Sequence, residues 1–344
     1  MFRTPTTGWL GFDLGGAAVK VAQVVRKGGE YRLRAAAIVP RRMRWNPEEL
    51  TAEEALSSAD ELRTAVSLAA VTRRCPAAAV LPMTLCDSAQ VVMPAGNRRD
   101  LRELTELVEA ELHQSLAGHL LADWPTPWDD AKRNIIATPV AWSDQVSRDV
   151  AAGRWNCRTI DSLPWALARA VKLAEASAES RSVIALDWGY NRATLCLIHQ
   201  GVPALVRCLK NCAFQQTVAA VSGRLRLPEA DAERLLARRD AFDSSSAAAE
   251  LLAETLAEPI ERLQSEIRRT LGFWQGQARG IRPDAMYLFG GGASLPGLAS
   301  RLASALGIDV QTWTLPAEDS SVSLPPAYLL GPATAASVLA WEDA

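Results

Sequence analysis

Three short loops carry the residues of this chain best suited to chemistry. Asp13-Leu14-Gly15 and Asp187-Trp188-Gly189 each place a carboxylate two residues before a glycine, and Gly290-Gly291-Gly292-Ala293 follows later in the chain. Glycine lets backbone approach a ligand without a Cβ clash, and successive N–H groups in such turns form concave anion sites. One loop of this kind is an ordinary tight turn; three in order carry more weight. The other constellations are thinner. His113, His119 and His199 have no ligand-like spacing and join no Ser/His/Asp set. Cys208 and Cys212, near His199, make half a metal site that no second pair completes. The six cysteines, scattered mostly in apolar segments, read as reduced core thiols. Asp144 could position a water, but it equally suits the first turn of a helix capped by Ser143, where its charge complements the helix dipole.

Each acidic loop is held by a pair of strands. Residues 11–34 and 185–207 share one pattern: an apolar strand ending in Asp-x-Gly, a tight turn, a second strand (19–25 and 193–198), a glycine turn (Gly28-Gly29 and Gly201) and a third strand. The aspartates lie 174 residues apart, close to half of the 344-residue chain, so an internal duplication is the simplest account. Helices are expected over 47–70, 143–153, 163–178 (Pro164 in the first turn), 214–225, 246–274 and 296–306, with Pro259 kinking or restarting the long one. Strands are expected over 77–81, 157–160, 286–289 and 310–315. Antiparallel strands followed by βα crossovers predict an α/β chain with a mixed five-stranded sheet in each half. Residues 83–142 have no counterpart in the second half: a strand at 89–93, a loop through Pro94, a helix over 98–113 and strands about 134–140 suggest an inserted subdomain. The expected division is 1–82 plus 143–180 as a first lobe, 83–142 as the insert, 181–225 plus 283–344 as a second lobe whose last helix returns to the first, and 226–282 as a helical insert.

Hydrophobic residues make up 49% and charged residues 22%, a globular balance, and the net charge of −2 gives no bulk basic field for nucleic acid or anionic lipid. Arg41, Arg42 and Arg44 read as a solvated loop. The apolar N-terminal stretch is broken by Asp13 and ends on Lys20, unlike a signal peptide, and no run of 18 apolar residues suggests a membrane span. A cytoplasmic location is the expectation, without direct membrane insertion and without nucleic acid. Of the eleven tryptophans, Trp9, Trp188 and Trp313 fall in strand-like core contexts. Trp124 and Trp128, separated by Pro125-Thr126-Pro127, read as a loop of the insert and as a candidate recognition surface; the alternative is a loop folded onto its own subdomain.

The two Asp-x-Gly hairpins half a chain apart and the late glycine cluster resemble the actin-like ATPases, and within them the PilM family of type IV pilus assembly proteins, related to FtsA. The matching stretches are Phe12-Asp13-Leu14-Gly15-Gly16-Ala17-Ala18-Val19-Lys20, Val80-Leu81-Pro82, Val91-Val92-Met93-Pro94, Ile160-Asp161-Ser162-Leu163-Pro164-Trp165-Ala166-Leu167, and Tyr287-Leu288-Phe289-Gly290-Gly291-Gly292-Ala293-Ser294-Leu295-Pro296-Gly297-Leu298. They run in order over nearly the whole chain. The resemblance implies a two-lobed actin-like fold with a PilM/FtsA-type insert and ATP with Mg2+ in the cleft. Asp13, Gly15, Gly16, Lys20, Asp187, Gly189, Arg192 and the run Gly290, Gly291, Gly292, Ala293 would lie at the nucleotide, with Asp13 and Asp187 near the metal. It further implies a cytoplasmic scaffold of an inner-membrane pilus or type II secretion platform. That scaffold would bind the cytoplasmic peptide of a PilN-like single-pass membrane protein, in a groove between the first lobe and the insert, and could assemble as a ring or filament.

Several positions depart from the family pattern. Gly16, Ala17 and Ala18 supply no hydroxyl where serine or threonine is usual; a hydrogen bond to a charged phosphate is worth ~1.5–3 kcal/mol, or about one to two factors of ten in affinity. Tyr190, Asn191 and Arg192 replace small residues, with Tyr190 placed to crowd a γ-phosphate and Arg192 open to a compensating role as a phosphate clamp. Cys212-Ala213 stands for Gly-Gly, and Leu236 for a lysine. The expectation is a degenerate ATP site with weak or no hydrolysis and no nameable catalytic acid or base. The rival readings are an active ATPase or small-molecule kinase of the same fold, which needs intact loops, and an FtsA-like division filament protein, which usually ends in a basic amphipathic helix where this chain reads Trp341-Glu342-Asp343-Ala344. A type II secretion platform protein with its own transmembrane helix is a further rival that the expected lack of a span disfavours.

Overall fold

A computed structural model describes residues 7–45, 58–72, 75–93, 101–175, 181–238, 242, 246–278 and 280–342. The duplicated sequence pattern becomes a duplicated sheet. In the first, β1 (Leu10–Leu14), β2 (Ala18–Lys27) and β3 (Glu30–Pro40) pair antiparallel, and β4 (Ala77–Leu81) and β8 (Cys157–Ser162) add parallel to β1, in the order β3-β2-β1-β4-β8. In the second, β9 (Ser182–Trp188), β10 (Ala193–His199), β11 (Val202–Leu209), β12 (Ala285–Phe289) and β13 (Asp309–Thr312) repeat that arrangement as β11-β10-β9-β12-β13. The central strands β1, β4, β9 and β12 are apolar apart from Ser182 and the aspartates late in β1 and β9, because helices cover both faces.

Helix α4 (Leu163–Ala174) lies between the sheets, with Pro164 tolerated in its first turn. Trp313 donates its indole N–H to the Ala170 carbonyl at 2.7 Å and stacks on Phe289 at 5.6 Å, which knits the halves into one apolar core. The late helix α8 (Gly331–Ser337) returns to β1. Its backbone passes so close that a Cβ on Gly11 would overlap the Ala333 carbonyl, and Ser337 bonds Trp9 through both backbone and side chain, at 3.0 and 2.7 Å.

Helix α1 (Ala59–Leu68) is the described part of the helix expected over 47–70; residues 47–57 lie outside the described residues, as do Pro94 and the start expected for the insert helix, α2 (Leu101–Leu112). The long helix α7 (Ala247–Gln277) starts where expected, with the Ser246 hydroxyl accepting the Ala249 N–H at 3.2 Å, and runs through Pro259. Leu252, Leu256, Ile260, Leu263 and Ile267 form a buried stripe at helical spacing, enough to outweigh the ~3 kcal/mol cost of an interior proline. Ser143 is not a cap: β7 (Asp129–Pro139) runs straight into α3 (Val140–Ala152), so the helix starts three residues earlier and the Ser143 hydroxyl donates to the Val140 carbonyl at 2.9 Å.

The third sheet is β5 (Asp87–Val92), β7 and β6 (His119–Thr126), in the order β5-β7-β6. Here the structure corrects the reading of 124–128 as an exposed recognition loop. Trp124 lies in edge strand β6, buried, with its indole N–H on the Pro203 carbonyl at 2.6 Å and its ring against Trp165 at 5.7 Å. Trp128 meets the Trp274 ring edge-on at 4.6 Å. Both tryptophans are spent on fastening the third sheet to the second half, helped by Asn134, whose amide donates to the Pro203 and Ala204 carbonyls. The desolvation gain of a large aromatic explains why Trp124 is inside, while Trp128, in the turn after β6, is half-buried.

Candidate functional site

Asp13, one residue before the end of β1, lies directly opposite Lys20 on β2 in the strand register, and the Lys20 ammonium donates to Asp13 Oδ2 at 2.7 Å. The equivalent register in the second sheet puts Thr194 opposite Asp187, so the duplicated hairpins hold two carboxylates and one lysine. Burial disfavours the Lys20 charge, but Asp13 and Asp187 outweigh it and its pKa is raised. Asp187 is pushed up to about 7 by burial, with Lys20 pulling it back and Asp13 adding to the rise.

Asp13, Gly15, Gly16 and Lys20 face Asp187, Gly189 and Arg192 across one cavity of about 500 Å3, and Gly290 and Gly291 close its far side. Gly290 has φ +81°, and a Cβ there would stand 2.5 Å from Asp187 Oδ1, so glycine is required twice over. Gly292 and Ala293 do not line the cavity. Gly292 is small because the Trp188 ring lies on it, and Ala293 is buried in the second-half core. Leu236, expected at the position of a family lysine, is buried in that core too; Glu233 and Ala237 of α6 (Glu229–Arg238) reach the cavity instead.

Both loops are tied down by the protein itself. Helix α5 (Phe214–Leu225) turns its first N–H groups onto the second loop, Phe214 to the Gly189 carbonyl and Gln215 to the Tyr190 carbonyl, both at 3.0 Å. These are the orphan donors that an anion would otherwise take. Three consecutive residues of the loop hook across the cleft. The Tyr190 ring lies under the Arg44 guanidinium at 4.7 Å, the Asn191 amide donates to the Trp45 carbonyl at 2.7 Å, and the Arg192 guanidinium donates to the Met83 carbonyl at 3.1 Å.

The arginines read as a solvated loop hold part of this site. Arg41 is 7% exposed; it donates to the Gly15 carbonyl at 2.7 Å and the Ser58 hydroxyl at 2.9 Å, and its guanidinium lies over Trp45. Burial pushes its pKa down to about 10, so it stays charged at neutral pH. Arg44 forms a fork onto Glu233 at 2.5 and 2.9 Å, a bond that raises its pKa. Only Arg42 is solvated as expected, its side chain 82% exposed. Nothing local marks these roles: Arg41 is 26 residues from Gly15, and Arg44 is 189 from Glu233. Asp144 lies in the second turn of α3 and does not line the cavity.

The geometry supports capture of a ligand with an apolar end against Phe214 and Tyr328 and an anionic end at Lys20 and Arg192. Asp13 and Asp187 do not make a metal cage by themselves, and no group of three or more potential metal-ligating His, Cys, Asp or Glu side chains occurs among the described residues.

No protein-family model matches the chain, and no curated protein sequence matches it. Solved structures do. A chain of the PilM-PilN type IV pilus biogenesis complex is 22% identical with a TM-score of 0.75, over 98% of this chain and 99% of that one. The ethanolamine utilization protein EutJ from Carboxydothermus hydrogenoformans is 14% identical with a TM-score of 0.58, over 97% and 90%. MreB5 of Spiroplasma citri, bound to AMPPNP, is 11% identical with a TM-score of 0.54, over 97% and 96%. With its repeated mixed sheets and facing aspartate loops, this chain has the actin-like α/β fold, in a form similar to that of the PilM-PilN complex.

Proposed function

We propose that this protein is a cytoplasmic, actin-like scaffold of an inner-membrane platform for a type IV pilus or related type II secretion machine. It is peripheral to the membrane through a PilN-like single-pass partner and is assembled in several copies as a ring or filament. The third sheet is its partner-binding insert. The observation that carries this reading is a second cavity of about 560 Å3 between the third sheet and the first. Leu120, Leu121 and Ile136 line one wall, and Ile160 and Trp165 the other. The flanking strands β6 and β8 are edge strands of their sheets, and an extended peptide recognises such a setting by pairing with an edge and filling apolar pockets with alternate side chains. The similarity to a chain of the PilM-PilN complex supports a partner of that kind.

In this reading the cleft holds an adenine nucleotide and hydrolyses it weakly or not at all. Supporting this, the first loop has no hydroxyls, the α5 N-terminus is spent on the second loop, and the Tyr190–Arg192 segment is tied across the cleft. AMPPNP in a protein of the same fold supports the choice of ligand.

The test is calorimetric titration with a peptide from the cytoplasmic end of a co-encoded single-pass membrane protein. Binding at micromolar affinity, about −8 kcal/mol, is expected. Leu120→Asp should weaken it at least about tenfold; Leu120 is 49% exposed, so the fold should tolerate the change. A peptide that binds this variant as it binds the parent does not sit in the groove.

A further inference from the structure

We propose, resting on the nucleotide reading above, that the cleft takes its ligand as a metal-free nucleoside diphosphate, with the Lys20 ammonium standing where a divalent cation would otherwise balance the phosphates. The argument begins with the carboxylates. Three line the cavity: Asp13, Asp187 and Glu233. Asp13 is paired with Lys20 at 2.7 Å, and Glu233 is held by the Arg44 fork. Asp187 has Thr194, not a cation, opposite it in the sheet, and its Oδ1 is packed against Gly290. Magnesium binds through carboxylates and phosphates while keeping several ordered waters in an octahedral shell. Here one of the two loop carboxylates already carries a cation, and Gly16-Ala17-Ala18 offers no hydroxyl to orient the waters.

The same residues suit phosphate without a metal. An ammonium has three donors, and the Asp13 bond uses one of them, leaving Lys20 able to bond Asp13 and a phosphate oxygen together. Arg192, which also lines the cavity, supplies a second positive charge from the opposite loop. Asn191 lies on Gly16, in the space a side chain there would fill, which shortens the anionic end and favours two phosphates over three. Phe214 and Tyr328 remain for the base.

The experiment is titration of the full-length protein with ADP, once in EDTA and once in excess magnesium. Apparent affinity at least about threefold weaker in excess magnesium is expected, because magnesium draws free ADP into a complex that the site does not take. A smaller loss than this, or tighter binding in magnesium, would overturn the inference while leaving the nucleotide site standing. No ADP binding in either buffer would overturn the nucleotide reading itself, and the inference with it. Lys20→Met should weaken ADP in EDTA at least about tenfold. Because that change strands Asp13, the charge-neutral pair Asp13→Asn with Lys20→Met is measured beside it, with melting curves; undiminished affinity in a folded variant would also overturn the role given to Lys20.

Discussion

The Asn191 side chain lies directly on Gly16: a Cβ at residue 16 would overlap Asn191 Oδ1, while Asn191 Nδ2 reaches past it to the Trp45 carbonyl at 2.7 Å. Two departures from the PilM-like pattern, one in each Asp-x-Gly loop, are therefore a single complementary contact. The side chain missing from the first loop is replaced in space by one from the second.

Gly16→Ser should destabilise the folded protein by about 1–3 kcal/mol through overpacking. Asn191→Ser should lose the bond to Trp45 but accept a side chain at 16. The double variant should then show a coupling of about 0.5–3 kcal/mol in urea unfolding. Strict additivity would mean that the two loops do not press on one another in solution.

Arg44→Ala should loosen the cleft. The fork to Glu233 is partly exposed, with Arg44 and Glu233 side chains 33% and 30% accessible, so the loss in global stability should be only about 1 kcal/mol. The larger effect should be faster amide exchange in α6 and in residues 190–192. Added salt should narrow the gap between parent and variant, since screening weakens the same pair.

Asp187 should make the protein less stable as pH rises. Its pKa is raised by burial from 3.8 to about 7 in the folded state. Below about pH 4 it is protonated folded and unfolded alike. Between 4 and 7 the folded state holds the extra proton, so the stability this group provides is lost as pH rises through about 7. Asp187→Asn should remove that loss, gaining on the order of 2–4 kcal/mol over the parent at pH 8 and little near pH 4. Denaturation midpoints across that range check it; a constant difference would refute it.

Trp124→Phe keeps most of the apolar area but removes the indole bond to the Pro203 carbonyl. Because the Asn134 amide still donates to that carbonyl, losing the indole bond should cost about 0.5–1.5 kcal/mol, and Trp124→Ala about 3–5. Chemical unfolding measures both. A silent Trp124→Ala would restore the exposed-loop reading.

The sequence by itself determined the repeated strand–turn–strand units, because apolar periodicity and Asp-x-Gly turns are local signals, and with them the pairing of two similar sheets. It also determined that Asp13, Asp187 and Gly290 belong together, since a duplicated hairpin places its turns at equivalent ends. What Trp124, Arg41 and Asn191 do was decided only by the tertiary structure. Each has a partner on another element: Trp124 finds a carbonyl 79 residues away, and Asn191 one 146 residues away. An arginine in a loop looks solvated until a carbonyl and a hydroxyl close over it, as Gly15 and Ser58 do for Arg41. The spare hydroxyl positions of the first loop were legible as a loss, but only the fold showed that Asn191 fills the space they leave. Residue type sets what a group can do, whereas burial and partners at long sequence separation set whether it remains free to do it.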